Sequence, residues 1–194
     1  MSAINQAVTS VAPPKEKTRV TGEELLAMGD IGPCELVEGE IVKMSPTGEK
    51  HGIVEVNLSG ELRAFVRERK LGRVSGGETG IYIRRNPDTV RGADVIFISN
   101  ERLEKRGSSG FIDVAPDLVV EIMSPEDRWS KVMKKLGEYF SIGVRLIWVI
   151  DPETESAYAY RSLTDVRHLI KTDALTGDDV LPGFRVTVGE LFAD

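Results

Sequence analysis

Two carboxylates stand inside apolar stretches of this sequence, where a hydrophobic side chain would be easier to bury. Glu121 interrupts the run "DLVVEIM", and Asp94 comes directly before the run "VIFI". A buried ionised carboxylate is costly unless it is protonated, paired with a cation or bound to a metal ion. On neighbouring strands, two such carboxylates would form an oxygen-ligand set suited to Mg²⁺ or Mn²⁺. The sequence therefore predicts Asp94 and Glu121 as metal ligands.

A lysine-rich helix follows Glu121 and supplies a cation. Residues 127–142 carry apolar side chains at helical spacing, and the predicted buried stripe comprises Val132, Leu136, Tyr139 and Phe140. Lys135 lies at the edge of this stripe, on the same side as Arg128, so its ammonium can turn back towards Glu121. We predict Lys135, ahead of Lys131, as the catalytic lysine. Charged side chains well away from the stripe are expected to face solvent, namely Lys134 and Glu138.

Two carboxylates, a divalent metal ion and a lysine together suit the hydrolysis of phosphodiester bonds. The metal ion lowers the pKa of its bound water, and the metal ion and the ammonium stabilise the charge that develops around phosphorus. The residues alone leave a second interpretation open, in which Glu121 and Lys135 form a structural ion pair without chemistry.

The elements that must position these residues follow from the apolar pattern. Side chains alternate along the predicted strand 118–123, so Glu121 shares a face with Val119 and Met123. The helix over 127–142 and a second buried strand in "RLIWVIDP" come next. This order of strand, helix and strand predicts a parallel strand pair with a right-handed crossover.

The first half of the chain supplies the remaining elements. Thr21 and Glu24 form a capping box for a short helix, and "CELVEGEIVKMSP" predicts a hairpin with Gly39 in its turn. A long helix is predicted over 51–70, followed by glycine-punctuated strands in "GRVSGGETGIYIRR" and a strand in "GADVIFIS". The predicted fold class is α/β, with a mixed central sheet flanked by helices and an N-terminal helix and β-hairpin.

Length and composition limit the classes of protein that this chain can belong to. With 194 residues, of which 41% are hydrophobic, it can form one domain, predicted over 20–194 after a flexible tail over 1–19. The single Cys34 excludes an intrachain disulfide. There is no apolar run of about 20 residues and no secretory signal, so we expect a cytoplasmic protein without a membrane partner.

The charge balance restricts how the chain could bind nucleic acid. With 25 Lys and Arg against 31 Asp and Glu, the net charge is −6, so a polyanion must meet a local basic patch. Two segments are candidates, and they read "RAFVRERKLGR" and "RWSKVMKK". The alternative for each segment is a solvated helix face.

The motifs "CELVEGEIVKMSP", "ADVIFIS", "APDLVVEIMSPEDR", "KLGEYFSIGVRLIWVIDP" and "LPGF" together resemble the Uma family of restriction endonucleases, in the PD-(D/E)XK nuclease-like superfamily. The resemblance runs from about Thr21 to the C-terminus and implies a restriction-endonuclease-like core with Asp94 and Glu121 as its two acidic residues. The superfamily pattern has a lysine two positions after the second acidic residue, and Met123 stands there in this sequence. The resemblance implies that the family's lysine comes instead from the following helix, where it matches Lys135. Ala93 replaces the proline of the first motif.

The resemblance also implies a further group from the N-terminal part of the fold, and Glu40 and His51 are the matching positions. A solvated hairpin residue is the alternative for Glu40, and a helix-terminal hydrogen bonder is the alternative for His51. His168, in a late polar segment, is given no role.

The expected function is Mg²⁺-dependent or Mn²⁺-dependent cleavage of DNA, and a homodimer would place two sites on two strands. The alternative is a catalytically inert nuclease-like fold that acts as a nucleic-acid-binding or dimeric interaction module. No nucleotide cofactor is expected because the sequence has no GxxxxGK[ST] loop and no GxGxxG spacing. "GSSG" at 107–110 is not a GxSxG elbow, which sets aside a serine hydrolase.

Overall fold

Apolar alternation along the chain produces one eight-stranded mixed sheet and a separate two-stranded hairpin. The computed structural model describes residues 19–193, so the tail predicted over 1–19 lies, except for its last residue, outside the described residues. The strands are Cys34–Val37 (β1), Glu40–Lys43 (β2), Gly72–Arg84 (β3), Thr89–Ser99 (β4), Leu118–Ile122 (β5), Leu146–Asp151 (β6), Ser156–Tyr160 (β7), Val166–Leu169 (β8), Ala174–Gly177 (β9) and Leu181–Thr187 (β10). The helices are Gly22–Ala27 (α1), Glu49–Arg69 (α2), Asn100–Leu103 (α3), Trp129–Ser141 (α4) and the 3-10 helix Val188–Phe192 (η1).

The predicted N-terminal helix and hairpin are present. The Thr21 hydroxyl accepts the Glu24 N–H and the Glu24 carboxylate accepts the Thr21 N–H, which completes the capping box of α1. β1 and β2 pair antiparallel around a turn in which Gly39 has a φ of 80°. Glycine adopts that left-handed conformation without steric penalty, which explains its position in the turn.

The strand order in the large sheet is β2-β1-β4-β5-β6-β7-β8, and β3 pairs with β4 outside this path. β5 and β6 are parallel, as the predicted βαβ unit requires, whereas the other pairs are antiparallel. The mixed α/β fold with helices on the sheet is therefore confirmed. No helix between residues 19 and 193 is long and apolar enough to cross a membrane.

Two apolar clusters cover the two faces of the sheet. Leu118, Val120 and Ile122 of β5 join the cluster formed with α2, while Val119 and Met123 pack in the cluster formed with α4. The predicted alternation along β5 is therefore confirmed. It aims Glu121 at the α4 side of the sheet, where burying a charge requires a partner.

The C-terminal elements were not predicted from the sequence. β9, β10 and η1 contribute buried side chains to the α2-side cluster, among them Leu175, Leu181, Phe184 and Leu191. These elements are four to seven residues long. Segments this short carry too few repeats for a periodic signal to emerge.

Candidate active site between two strands and a helix

The candidate site lies along one edge of β4, where the strand that pairs with β4 changes from β1 to β5. Leu36 of β1 pairs with Val90, and β5 pairs with β4 only from Val95 onward. In between, residues 91–94 have no strand partner on this edge within the described part of the chain. Unpaired backbone groups in a buried position need other partners, so this gap is where polar side chains are required.

Carboxylates and a phenol fill the gap. Glu35 accepts the Gly92 N–H at 3.1 Å, and the Tyr139 hydroxyl donates to the Gly92 carbonyl at 3.2 Å. On the β5 side, Asp94 Oδ2 accepts the Ile122 N–H at 2.6 Å. Acidic side chains therefore replace the missing ladder bonds, which gathers negative charge at the point where the strands separate.

Lys135 lies between two of these carboxylates. Its Nζ is 2.7 Å from Glu121 Oε2 and 3.2 Å from Glu35 Oε1. The Tyr139 hydroxyl oxygen lies 2.7 Å from the other Glu121 oxygen, so its one hydrogen is shared between Glu121 and the more distant Gly92 carbonyl. The Glu121 side chain is 13% exposed and that of Lys135 is 19% exposed, so the pair is shielded but reaches solvent.

Arg91 closes the network on the β1 side. Its guanidinium lies 2.6 Å from Glu35 and 2.6 Å from Glu138, and the contact with Glu138 is bidentate. The expectation that Glu138 faces solvent is wrong, because this ion pair with a distant strand draws it in to 22% exposure. Lys134 is exposed, as expected.

Replacing Arg91 should destabilise the fold. In Arg91→Ala, Glu35 and Glu138 stay largely buried without the guanidinium, although Lys135 still contacts Glu35. We expect the free energy of unfolding to fall by about 2–4 kcal/mol in urea denaturation. The control is Arg84→Ala, whose ion pair with Glu38 is roughly half exposed and should be worth less than about 1 kcal/mol. Equal losses in the two variants would contradict the prediction.

Burial dominates the electrostatics of Glu121. It raises the pKa of Glu121 to about 8, although Lys135 opposes the rise. Burial alone would lower the pKa of Lys135, but the neighbouring Glu121 and Glu35 carboxylates raise it above its ordinary value. The pKa of Tyr139 is also raised, first by burial and then by the Glu121 charge. Lys135 is therefore the permanently charged group, and Glu121 is the one that exchanges a proton near neutral pH.

This raised pKa predicts how pH affects the stability of the metal-free protein. Glu121 ionises near 4.5 in the unfolded chain and near 8 in the folded chain, so its contribution to stability is lost as pH rises through that window. Glu121→Gln has no such loss. In EDTA, its melting temperature minus that of wild type should therefore increase between about pH 5 and about pH 9.

Glu101→Gln is the matched control for this measurement. Glu101 is exposed and pairs with Lys105, which lowers its pKa. The melting temperature of Glu101→Gln minus that of wild type should not increase between about pH 5 and about pH 9. A pH-independent difference for Glu121→Gln would contradict the prediction.

Asp94 also belongs to a second group of ligand atoms. One ligand atom each from His51, Glu55 and Asp94 lie within 4.8 Å of one another, close enough to hold a metal ion. His51 Nε2 is 3.3 Å from Asp94 Oδ1, and the Gly77 N–H donates to Glu55 at 2.8 Å. Burial would lower the pKa of His51, but the hydrogen bond and negative charge of Asp94 raise it. His51 Nδ1 is buried with no hydrogen-bond partner among residues 19–193.

A bulge in β3 adds one more carboxylate. β3 inserts an extra residue opposite β4, and Gly77 and Glu78 there have φ angles of 72° and 60°. A Cβ atom on Gly92 would lie 2.5 Å from Glu78 Oε2, so glycine at that position lets the Glu78 carboxylate lie close over β4. Burial, followed by the charge of Asp94, raises the pKa of Glu78.

The structure brings four of the five predicted site residues into two contacting pairs, His51 with Asp94 and Lys135 with Glu121. The two pairs are close enough for the charge of Asp94 to raise the pKa of Glu121. Glu40 is exposed at the start of β2, opposite Val37 in the hairpin. From the N-terminal hairpin, Glu35 is the carboxylate that contacts Lys135. The catalytic role given to Glu40 stays a prediction.

Sequence reasoning missed Glu35, Glu55 and Glu78. Glu55 had a usable signal, because it lies four residues after His51 on a predicted helix and so on the same face. Glu35 gave no such signal, because it lies in a predicted hairpin in which polar and apolar residues alternate. Glu78 had no periodic signal because a bulge turns its side chain.

The fold and the site can be compared with known proteins. Residues 23–189 match Uma2, a family described as "Putative restriction endonuclease". The chain is also similar to the crystal structure of "a putative nuclease belonging to DUF820" from Anabaena variabilis ATCC 29413, with a TM-score of 0.74 and 21% sequence identity over 89% of this chain and 97% of that chain. At this identity the similarity shows the fold. None of the curated proteins matches the chain.

Proposed function

The chain belongs to the Uma2 family of restriction-endonuclease-like proteins, and we propose that it is a metal-dependent endonuclease that hydrolyses phosphodiester bonds of DNA. One observation carries this proposal. Asp94 and Glu121 each lie one position beyond the pair Val95 and Val120 that ends the β4–β5 ladder, and Lys135 contacts Glu121 at 2.7 Å. Two carboxylates and an ammonium at one opening of a sheet are groups suited to metal-assisted hydrolysis of phosphodiester bonds.

We propose Asp94 and Glu121 as ligands of Mg²⁺ or Mn²⁺, with His51 and Glu55 as additional candidates. The donor set fits such an ion, since it consists mainly of carboxylate oxygens with one imidazole, and His51 Nδ1 is buried without a protein partner in the described region. A divalent cation held there would supply positive charge beside the scissile phosphate and a bound water of lowered pKa. Metal binding would also displace the proton that Glu121 holds near neutral pH.

Lys135 would stabilise the negative charge that develops on the phosphate oxygens. Its raised pKa keeps the ammonium charged at all relevant pH values. Glu121 and Glu35 hold this ammonium from two sides, and Arg91 holds Glu35 in turn. The cation is therefore oriented before substrate arrives, which is the condition under which a single charge contributes most to catalysis.

His51 and Glu35 would position these groups. His51 contacts Asp94 and would fix the orientation of its carboxylate. We assign the N-terminal carboxylate of the site to Glu35, because it contacts Lys135 and Arg91, whereas Glu40 lies at an exposed position of the hairpin. A homodimer, a cytoplasmic location and a single functional domain over 20–194 remain predictions.

The proposal is tested by titrating wild-type protein with Mn²⁺ in a calorimeter and by following nicking of supercoiled plasmid in the same samples. We expect saturable Mn²⁺ binding, nicking with Mg²⁺ or Mn²⁺, and no nicking in EDTA. If wild type neither binds Mn²⁺ nor nicks DNA, the carboxylates are structural. The chain is then an inert nuclease-like module, and its interactions become the question.

A further inference from the structure

An aromatic cluster, defined here as Trp129, Tyr158 and His168, stands in line with the candidate active site. Glu121, Val149, Tyr158 and His168 are successive register partners across β5, β6, β7 and β8. Residues paired in register share a face of the sheet. With strands about 4.8 Å apart, the backbone of His168 lies roughly 14 Å from that of Glu121. The cluster therefore begins within two strands of the reacting groups.

The rings of the aromatic cluster are organised and partly open to solvent. Tyr158 stacks on His168 with ring centroids 4.7 Å apart and an interplanar angle of 26°. Trp129 meets Tyr158 edge to face at 5.0 Å. Trp129 is 39% exposed and His168 is exposed, so both present ring surface to an incoming group. Exposed rings held in fixed orientations are suited to stacking with nucleic-acid bases.

Cations connect the aromatic cluster with the candidate active site along α4. Lys131 and Lys135 are four residues apart and lie on one side of α4, and Arg128 is the N-cap residue directly before the helix. From Arg128 to Lys135 the chain spans roughly 10 Å along the helix axis. Arg128 and Lys131 are exposed, and the described residues provide no ion-pair partner for either. On a chain with net charge −6, unpaired cations in a row mark a local path for a polyanion.

We propose that the aromatic cluster binds unpaired bases of the nucleic-acid strand whose phosphate is cleaved beside Lys135, with the flanking phosphates along Arg128 and Lys131. The proposal rests on the proposed endonuclease function and names the form of its substrate. A base offers its flat face to a side chain only when it is unstacked, as in a single-stranded segment, a bulge or a frayed end.

Tryptophan fluorescence gives a direct test, because the chain has two tryptophans and Trp148 is fully buried while Trp129 is exposed. The probe is a fluorescein-labelled oligonucleotide of about ten thymidines, a length that spans one such binding surface. Binding is measured in EDTA, so that cleavage does not contribute. We expect the unlabelled oligonucleotide to quench Trp129. In anisotropy titrations, affinity should fall roughly tenfold in Trp129→Ala and severalfold in Lys131→Ala.

Two substitutions elsewhere on the surface are matched controls. Val56→Ala removes an exposed apolar side chain from α2, and Arg63→Ala removes a cation from the other basic segment. Both variants should bind the oligonucleotide like wild type. Affinity that is unchanged in Trp129→Ala, or that falls in Arg63→Ala but not in Lys131→Ala, overturns the proposal. A wild-type dimer in sedimentation that becomes monomeric in Trp129→Ala also overturns it, because a second copy then covers the cluster.

The plasmid-nicking assay separates this proposal from the proposed function. Oligonucleotide binding that depends on Trp129, without any metal-dependent nicking by wild type, overturns the endonuclease function and leaves the aromatic cluster as a binding surface. Wild-type nicking with Trp129-independent oligonucleotide binding overturns the inference about the cluster and leaves the endonuclease function intact.

Discussion

Asp94→Asn is expected to abolish Mn²⁺ binding and to lower the rate of plasmid nicking by at least roughly a thousandfold. Asp94 is the residue that both groups of the site share. Like Glu121 it lies one position beyond the end of the β4–β5 ladder, its charge raises the pKa of Glu121, and it also lies with His51 and Glu55. Removing its charge weakens any ion held by either group. Calorimetric titration with Mn²⁺ and nicking of supercoiled plasmid measure the two effects.

The substitution is chosen so that the fold survives. Asparagine has the same shape as aspartate, and its side-chain oxygen can still accept the Ile122 N–H that Asp94 accepts at 2.6 Å. Asp117→Asn is the matched control, because Asp117 is equally buried and binds the Ser99 N–H and Arg102 outside the site. We expect Asp117→Asn to bind Mn²⁺ like wild type. Wild-type Mn²⁺ affinity in Asp94→Asn would show that the ion binds elsewhere.

Lys135→Met is expected to lower the nicking rate by roughly 100- to 1000-fold while Mn²⁺ still binds. Methionine keeps much of the side-chain volume but removes the ammonium that lies 2.7 Å from Glu121 and 3.2 Å from Glu35. Without that ammonium the pKa of Glu121 rises further, because Lys135 is the neighbour that lowers it most. Mn²⁺ affinity should therefore be moderately reduced near pH 7 and should recover as pH increases.

Lys134→Met is the control for this prediction, because Lys134 is the adjacent residue of α4 and is exposed. It should nick plasmid at the wild-type rate. The two site variants also test each other: Asp94→Asn should lose both metal binding and nicking, and Lys135→Met should lose nicking but still bind Mn²⁺ with moderately reduced affinity. If Lys135→Met nicked at the wild-type rate, the contact between Glu121 and Lys135 would be a structural ion pair, the alternative that the sequence left open.

Some of the site was predictable because its signals are local. Glu121 and Asp94 are conspicuous as charges within apolar runs, and the position of Lys135 follows from the helical period of α4. The parallel pairing of β5 and β6 follows from the order of strand, helix and strand, and the structure has it. Each of these inferences depends only on residues close together in the chain.

Other features depend on which distant segments become neighbours. Arg91 pairs with Glu138, which is 47 residues away in the sequence, and this ion pair reduces the exposure of Glu138 to solvent. Arg91 also pairs with Glu35, which is 56 residues away. Helical periodicity alone assigned Glu138 to the solvent face, because it contains no information about a cation on another strand. The role of Glu40, which comes from the family resemblance, stays a prediction. No local pattern indicates that Glu35 in the same hairpin contacts Lys135.

The sequence by itself determined the fold class, the two strand carboxylates and the helix lysine, since the periods of 2 and 3.6 residues record which side chains each element buries. Only the tertiary structure decided which cations and backbone N–H groups each carboxylate contacts. The gap between β1 and β5 on the edge of β4 leaves backbone groups that Glu35, Tyr139 and Asp94 must satisfy. The gap results from the pairing of three distant strands, so no single segment of the sequence indicates it. The side chains that bind its backbone groups can be identified only once the sheet has formed.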